Sequence, residues 1–216
     1  MKLYNSLGPN PRVVRMFMVE KGIDLPFEEV DLRGGENRRG PYLGKNPAGQ
    51  LPTLELDNGK HLSEVTAICE YLEDVQPKPP LIGSTPEEKA ETRMWTRRVD
   101  LNICEPLANG FRYAEGLALF KDRMRVLPEA AAGLKACAQD KLGWLDGLMD
   151  GKSWIAGNRF TLADIHLYCF LDFAAGVGQS IDPKHAKVKT WFDRVAARPS
   201  AAASLHAAVA QVGVRA

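Results

Sequence analysis

Thiol and imidazole side chains are the first candidates for chemistry, because they supply nucleophiles, general bases and metal ligands. The chain of 216 residues contains four cysteines and four histidines. The cysteines lie far apart in apolar segments, without a Cys-x-x-Cys pair, and they are Cys69, Cys104, Cys137 and Cys169. We therefore expect buried apolar thiols rather than a zinc site or a disulfide framework. The histidines form no recognisable triad or metal cluster and receive no role; they are His61, His166, His185 and His206.

The overall composition excludes several classes of protein. There are 28 Lys and Arg against 27 Asp and Glu, so the net charge is +1, and 45% of the residues are hydrophobic. These proportions are ordinary for a globular protein and exclude disordered, collagen-like and coiled-coil chains. The near-neutral charge gives no reason to expect nucleic acid as a partner, and no apolar run approaches the roughly 18–20 residues that span a membrane. Because the N-terminus lacks the apolar region of a signal peptide, we expect a cytoplasmic protein.

The first part of the chain alternates between strand and helix signals. A helix is expected to start with Asn10 as N-cap and Pro11 at its first position, and another with Ser63 as N-cap. Residues 57–60, Asp-Asn-Gly-Lys, are typical of a type I′ hairpin turn. The expected strands are residues 2–4, 27–32, 51–56 and 61–62. The order strand, helix, strand, connection, strand, strand, helix predicts a thioredoxin-like fold.

A proline-rich segment divides the chain, because it contains too many prolines to continue a helix. Beyond it there are only helix signals. They include Thr85 before Pro86, and Thr161 three residues before Asp164, which are the spacings of helix caps. The sequence therefore predicts a thioredoxin-like α/β domain followed by an all-helical domain. The expected boundaries are 1–76 for the first domain, about 77–85 for the linker and 86–216 for the second domain.

Three local motifs, in this order, resemble those of cytosolic glutathione transferases. Residues 46–52, N-P-A-G-Q-L-P, resemble the family's N-P-x-G-x-[VL]-P loop. Residues 64–72, E-V-T-A-I-C-E-Y-L, are similar to its E-S-x-A-I-x-x-Y-L helix start, and residues 158–165 to its second-domain capping segment. Residues 9–12, P-N-P-R, resemble a bacterial and fungal subgroup in which this segment replaces the Tyr, Ser or Cys that activates the thiol.

This resemblance, which covers residues 1–210, implies an enzyme that conjugates the glutathione thiolate to a small hydrophobic electrophile, in detoxification. It implies glutathione as co-substrate and no metal. Two alternatives stay open: a glutathione-dependent disulfide reductase, and a non-catalytic glutathione-binding or regulatory protein of the same fold, since fold alone does not establish function.

The implied activity requires a group that stabilises a sulfur anion, because a free thiol has a pKa of about 8.5 and only the thiolate is reactive. A helix N-terminus can do so with its free N–H groups and its dipole. The amide of Asn10 could donate a hydrogen bond to the sulfur, and Gly8 permits close approach of the backbone. Ser6 is a further candidate. An ordinary N-cap is the alternative reading of Asn10.

The resemblance also implies residues that bind the cysteine and glycine parts of glutathione. Leu51 precedes Pro52, which is cis in the family, and together with Gln50 it would pair with the cysteine backbone like an added strand. The glycine carboxylate requires a cation, and arginine suits a bidentate pair. The candidates in the right segment are Arg38, Arg39 and Lys45.

The γ-glutamyl end of glutathione would bind at the second of the three motifs. Glu64 can accept its ammonium. Val65 stands where the family usually has a serine, so one hydroxyl donor to the γ-glutamyl carboxylate is missing. Losing one charge-assisted hydrogen bond costs about 1.5–3 kcal/mol, which predicts weak glutathione binding unless Thr66 or Ser63 compensates.

The electrophile is expected between the two domains. Its candidate residues are Leu7, Leu107, Phe111, Arg112 and Tyr113. Arg112 or Tyr113 could hold a developing negative charge near the sulfur, although aromatic residues at this spacing are also common in cores.

The resemblance further implies a two-fold homodimer. The first predicted helix of the second domain carries an interface-like mixture of apolar, aromatic and arginine residues. They are Met94, Trp95, Arg97, Arg98 and Asp100. In such a dimer, Asp100 would reach the γ-glutamyl ammonium across the interface.

Overall fold

Residues 1–209 are described by a computed structural model, and they form the expected thioredoxin-like domain followed by a helical domain. Among these residues, the strands form one mixed sheet in the order β2-β1-β3-β4. Strands β1 and β2 are parallel, and the other neighbouring pairs are antiparallel. The predicted fold class is confirmed. The elements of the first domain are β1 (Lys2–Asn5), α1 (Pro9–Lys21), β2 (Phe27–Glu29), α2 (Gly40–Leu43), β3 (Thr53–Glu55), β4 (His61–Ser63) and α3 (Val65–Val75).

The second domain begins with α4, whose N-cap is Thr85; its hydroxyl accepts a hydrogen bond from the Glu88 N–H at 3.2 Å. The central helix α8 starts at a capping box of Thr161 and Asp164, as predicted. A five-residue π-helical segment, Asp100–Cys104, joins α4 to α5. The α-helices of the second domain within the described residues are α4 (Pro86–Val99), α5 (Glu105–Arg112), α6 (Leu117–Phe120), α7 (Ala131–Leu148), α8 (Leu162–Gly176), α9 (Ala186–Ala196) and α10 (Pro199–Ala203).

Two helices of the first domain start elsewhere than predicted. Helix α1 has Gly8 as its N-cap, with φ 135°, so the prediction of Asn10 as N-cap was wrong. Gly8 adopts this backbone conformation without a Cβ clash, and the fixed φ of Pro9 suits the first helical position. Helix α3 follows Glu64, while Ser63 stays in β4, so the predicted Ser63 cap was also wrong.

The hairpin between β3 and β4 forms with a different turn from the predicted type I′. That turn requires positive φ at both central residues, and of the two only Gly59 has it, with φ 78°. The Gly59 N–H donates to Leu56 O at 2.9 Å, and the Leu56 N–H donates to Lys60 O at 2.8 Å. The turn is therefore closed by one left-handed glycine, and β3 and β4 are only three residues long each.

Buried polar contacts fix α1 against the helical domain. The Arg12 guanidinium, fully buried, lies 2.6 Å from the Asp172 carboxylate of α8 and donates to Ala201 O at 3.0 Å. At the other end of α1, Lys21 Nζ lies 2.7 Å from Glu73 of α3. The orientation of α1 is thus set by both domains.

Three of the four thiols are buried as predicted, and the pKa of each is raised by burial; they are Cys69, Cys104 and Cys169. Cys137 is exposed on α7, so the prediction for it was wrong, because that position faces outward from the helix. Within residues 1–209, no helix is both long enough and apolar enough to cross a membrane, and no cluster of His, Cys, Asp and Glu could hold a metal ion.

Candidate functional site

Two cavities with shared walls lie between the domains. The acidic cavity, of about 110 Å³, contains the carboxylates of Glu64, Asp100 and Glu105. The aromatic cavity, of about 240 Å³, is larger and mainly apolar. The residues that define its character are Leu7, Phe111, Phe120, Phe170, Phe173, Arg33, Arg38 and Arg112. Three residues line both cavities, and they are Asn10, Gln50 and Leu51.

Asn10 lies at the N-terminus of α1, where the helix reaches both cavities. Pro9 and Pro11 have no N–H, and the Arg12 N–H donates to Gly8 O at 3.3 Å. Asn10 therefore supplies the one main-chain N–H of the first three helical positions. Neither this N–H nor the side-chain amide has a hydrogen-bond partner within residues 1–209. The free N–H and the positive end of the helix dipole can together stabilise an anion here.

The loop before β3 presents unused backbone groups to the cavities. The peptide bond between Leu51 and Pro52 is cis, as the resemblance implied. Gln50 is held through its carbonyl oxygen, which accepts hydrogen bonds from the Tyr42 hydroxyl at 2.6 Å and the Asn46 amide at 2.9 Å. The main-chain N–H and C=O of Leu51 take part in no hydrogen bond with the described residues. They can pair with an extended peptide.

The N-terminus of α3 forms another wall of the acidic cavity. Glu64, its N-cap, has φ 71°, which is unusual for a residue other than glycine and costs of order 1–3 kcal/mol. Val65 and Thr66 follow, and their N–H groups are among the free donors of the first helical turn. The Thr66 hydroxyl also has no hydrogen-bond partner among the described residues, whereas the Val65 side chain packs into the core. This end of α3 can bind a carboxylate, with Glu64 close by for an ammonium.

The helical domain contributes Asp100, Glu105 and His166 to the acidic cavity. His166 is 3% exposed and stacks on Phe170, with ring centroids 5.1 Å apart. Its Nε2 lies 3.3 Å from Asp100 Oδ1, and Arg97 Nη1 lies 3.3 Å from the other oxygen of Asp100. Burial acts to raise the pKa of Asp100, but His166 and Arg97 outweigh it, so this pKa lies below its ordinary value.

The sequence analysis did not predict that these three helical-domain residues line a site in their own chain. Asp100 was expected to reach across a subunit interface, and that prediction stays open; within its own chain it borders the acidic cavity. His166 was given no role, although a polar residue within the apolar run of α8 was an available signal. Glu105 carried no local signal.

The aromatic cavity combines ring edges with guanidinium groups. Phe111 packs edge-to-face against Phe173 and Phe120, with centroid distances of 5.0 Å and 6.2 Å. Arg112 donates to Asn109 Oδ1 at 2.8 Å. No carboxylate is among the described residues that line this cavity. Such a site suits a flat aromatic molecule, and its guanidinium groups favour negative charge on that molecule.

The predicted electrophile residues divide between cavity and core. Leu7, Phe111 and Arg112 line the aromatic cavity. Leu107, 2% exposed, lies in the hydrophobic core, and Tyr113 lies outside both cavities. The sequence missed the residues from α6, from α8 and from the loops that follow β2 and α6, because their approach depends on packing between distant segments. They include Leu32, Arg33, Phe120, Met124, Phe170 and Phe173.

The predicted thiolate-side residues are also separated. Gly8 lines the aromatic cavity together with Asn10. Ser6 lines neither cavity, because its buried hydroxyl donates to Val30 O at 2.9 Å. Tyr4, which is buried in β1, also lies outside both cavities, and its hydroxyl donates to Glu55 at 2.6 Å.

Of the three predicted cations for the glycine carboxylate, Arg38 lines the aromatic cavity. Arg39 donates to Gly34 O at 2.7 Å, and Lys45 Nζ lies 4.3 Å from the centre of the Tyr4 ring. Arg38 lies against Gly49, where a Cβ would come within 3.2 Å of its Cδ.

Comparison with known proteins gives matches over both domains. Residues 8–75 match the family model described as glutathione S-transferase, N-terminal domain, and residues 124–199 match glutathione S-transferase, C-terminal domain. The chain is 31% identical to glutathione S-transferase 2 of Saccharomyces cerevisiae, over 89% of this chain and 84% of that protein. It is also 31% identical to FtsZ-localized protein A of Caulobacter vibrioides, over 89% and 85%. A glutathione S-transferase domain-containing protein of Marinobacter aquaeolei superposes with a TM-score of 0.87 at 36% identity, covering 93% of this chain and 99% of that one.

Proposed function

The chain belongs to the glutathione S-transferase family and is a glutathione transferase, and from this premise we propose that it conjugates the glutathione thiolate to a small hydrophobic electrophile. The observation that carries the proposal is the position of Asn10, whose free N–H lies where the acidic and aromatic cavities meet. A sulfur atom placed there would face one cavity suited to glutathione and another suited to an apolar partner.

Glutathione would enter the acidic cavity with its γ-glutamyl end. Its ammonium would face Glu64 and Asp100, and its carboxylate would accept hydrogen bonds from the N-terminus of α3, including the Thr66 hydroxyl. The cysteine part would pair with the free N–H and C=O of Leu51. Arg38 would bind the glycine carboxylate. In this arrangement each charged group of glutathione meets a group of opposite charge or a free donor.

Asn10 would stabilise the sulfur as a thiolate, because its N–H and the dipole of α1 favour negative charge. The thiol proton leaves to solvent, and the thiolate forms a bond to the electrophilic carbon. The aromatic cavity would hold that carbon against the sulfur and exclude water from it. Holding the two reactants together converts a bimolecular step into an effectively unimolecular one.

The same arrangement supports a second reaction, the reduction of a small disulfide by glutathione, because an exposed thiolate also attacks sulfur. The third candidate function is non-catalytic binding. It is supported by the similarity to FtsZ-localized protein A, a relative that is named for its location and not for a reaction. We propose conjugation as the main activity because the second cavity is lined by aromatic rings suited to an organic electrophile.

Three measurements on the purified protein separate these functions. We expect calorimetry to show binding of glutathione and of S-methylglutathione, and steady-state assays to show conjugation of chlorodinitrobenzene faster than reduction of hydroxyethyl disulfide. Reduction without conjugation would favour the second function. Binding without either reaction would favour the third, and absence of binding would contradict all of them.

We further propose a homodimer and a place in the subgroup marked by P-N-P-R, as the sequence predicts. The outer side of α4 and the segment after it supports the dimer, because Met94 and Leu101 are 41% and 49% exposed. Trp95 is excluded from such an interface, because it is 6% exposed and packs against Trp144. Light scattering should give about twice the chain mass of 23.8 kDa. Detoxification and a cytoplasmic location remain predictions.

A further inference from the structure

We propose that the preferred electrophile is an aromatic compound that carries an acidic group, and that Arg33 binds this group. The inference rests on the proposed function and specifies the substrate class of the aromatic cavity.

The first observation is the separation of charge between the two cavities. The described lining of the aromatic cavity includes three arginines and no carboxylate. The described lining of the acidic cavity includes three carboxylates and neither lysine nor arginine. Glutathione would bring its glycine carboxylate to the aromatic side, and its thiolate would be stabilised by Asn10 at the boundary. One carboxylate does not occupy all of the guanidinium groups on this side.

The second observation is that two of the three arginines already have a role. Arg112 donates to Asn109 and lies 3.7 Å from Glu105. Arg38 lies beside the loop that would hold the cysteine part of glutathione, with Nη1 3.4 Å from Ala48 O, and is placed for the glycine carboxylate. The Arg33 side chain makes no hydrogen bond or ion pair with residues 1–209. It is therefore the cation available for a second anion.

The third observation is that the backbone of Arg33 is fixed to the helical domain. Arg123, between α6 and α7, donates to Leu32 O at 2.6 Å and to Arg33 O at 2.8 Å. The same part of the helical domain brings Phe120 and Met124 into the cavity. If an aromatic ring binds among these side chains, an acidic substituent on that ring can contact the Arg33 guanidinium, which lines the same cavity.

The reaction with such a substrate is a nucleophilic aromatic substitution. The glutathione thiol loses its proton to solvent, and the thiolate sulfur forms a bond to the ring carbon that carries chlorine. The carbon–chlorine bond breaks, and chloride leaves with the bonding electron pair. The acidic group takes no part in bond changes, so Arg33 is a specificity-determining residue.

The test compares two electrophiles of nearly equal shape, chlorodinitrobenzoate with its carboxylate para to chlorine and the corresponding amide. Each kcat/KM is divided by the rate of the uncatalysed reaction with glutathione. We expect the normalised value to favour the acid in the unaltered enzyme. Arg33→Gln should lower the acid-to-amide ratio by roughly fivefold, the upper range for an exposed ion pair. Arg33→Lys should retain part of the preference.

Arg125→Gln is the matched control, because it removes the same charge from an exposed residue that does not line the cavity. It should leave the ratio unchanged. Equal values for acid and amide in the unaltered enzyme would overturn the proposal. A raised KM for glutathione in Arg33→Gln with both electrophiles would also overturn it, since Arg33 would then serve the glycine carboxylate.

An equilibrium measurement distinguishes failure of this inference from failure of the proposed function. Calorimetry in the presence of S-methylglutathione compares dinitrobenzoate with dinitrobenzamide, neither of which reacts. Tighter binding of the acid that is lost in Arg33→Gln would support the role of Arg33 even without turnover. Equal binding of both compounds would contradict it, whatever the enzyme catalyses.

Discussion

The acidic and aromatic cavities share Asn10, Gln50 and Leu51 but are built in different ways. The acidic cavity is small and polar, and much of its wall is backbone whose donors and acceptors are free, at Leu51 and at the start of α3. The aromatic cavity is larger, and its side chains come from distant segments of both domains: from α1 and loops of the first domain, and from α5, α6 and α8 of the second. A site whose walls are fixed backbone suits one constant ligand. A site of side chains from distant segments suits ligands that differ between relatives.

The two cavities also differ in charge, and Asn10 lies at the boundary. On one side are Glu64, Asp100 and Glu105, and on the other are guanidinium groups. A zwitterionic tripeptide that spans both sides would be oriented by this difference, with its ammonium and its glycine carboxylate at opposite ends. In the proposed arrangement the charge boundary would therefore determine where the sulfur lies, and we expect changes on either side to have separable effects.

The largest effect, on stability, should come from the ion pair that fixes α1, which borders both cavities, against α8. Arg12→Met removes the guanidinium that lies 2.6 Å from Asp172 between α1 and α8. Breaking a buried ion pair by removing one partner costs about 3–5 kcal/mol, so we expect the free energy of unfolding to fall by this amount. Denaturant titration followed by circular dichroism measures it. Arg12→Met combined with Asp172→Leu should recover much of the loss, and a single-variant loss below about 1 kcal/mol would show that the pair does not fix α1.

The next largest effect should come from a change of charge at Asn10, which lies at the boundary between the two cavities. Asn10→Asp places a negative charge beside the sulfur, where two charges 4 Å apart repel by about 4 kcal/mol at an effective dielectric constant of 20. A repulsion of this size corresponds to about three pKa units, so we expect the pKa of the bound glutathione thiol to rise by up to about this amount, as measured by thiolate absorbance, and kcat to fall by up to about 1000-fold. An acidic residue in the first turn of α1 should at the same time stabilise the fold by about 0.3–1 kcal/mol.

Asn10→Ala is the control for charge, because it removes the side-chain amide and keeps the main-chain N–H. We expect it to lower kcat by about tenfold and to change glutathione affinity less. If Asn10→Asp left kcat and the thiol pKa unaltered, the sulfur would lie elsewhere.

The sequence predicted the residues of the acidic cavity that belong to local motifs and missed those that depend on tertiary contacts. Gln50, Leu51 and Glu64 were expected at the site because the motifs that contain them resemble those of a known family, and all three line the acidic cavity. His166 was missed because its approach to Asp100 requires α8 to pack against α4. Asn10 was proposed because the start of a helix follows from its neighbouring prolines, but its predicted position as N-cap was wrong, since α1 starts at Pro9 and leaves Asn10 inside the first turn with a free N–H. Phe120 and Phe170 were not predicted as cavity residues, because the sequence of their own segments does not indicate which aromatic rings pack together.

A smaller effect should be confined to the acidic cavity. Glu64→Gln keeps the shape of the side chain and removes the charge that would pair with the γ-glutamyl ammonium. A hydrogen bond to a charged group contributes about 1.5–3 kcal/mol, so we expect KM for glutathione to rise at least tenfold. The acid-to-amide preference in the aromatic cavity should not change.

Asp74→Asn is the matched control, because Asp74 lies exposed near the end of the same helix and lines neither cavity. It should leave KM for glutathione unaltered. If Glu64→Gln changed the electrophile preference as much as glutathione affinity, the two cavities would not act separately.

The smallest effect concerns Val65, the residue at which this chain departs from the family motif that residues 64–72 resemble. Val65→Ser restores a hydroxyl at the first position of α3, and we expect the Kd for glutathione to fall about threefold, because the Thr66 hydroxyl and the main-chain N–H groups already provide donors. Val65 is 8% exposed and packs in the core, so losing its methyl groups should lower the free energy of unfolding by about 1–2 kcal/mol. Val65→Ala separates the two effects, since it has a similar packing loss without a hydroxyl. Calorimetry that gives equal Kd values for the Ser and Ala variants would mean that Thr66 already satisfies the γ-glutamyl carboxylate. In that case, Thr66→Val should weaken glutathione binding in the original chain and weaken it equally in Val65→Ser.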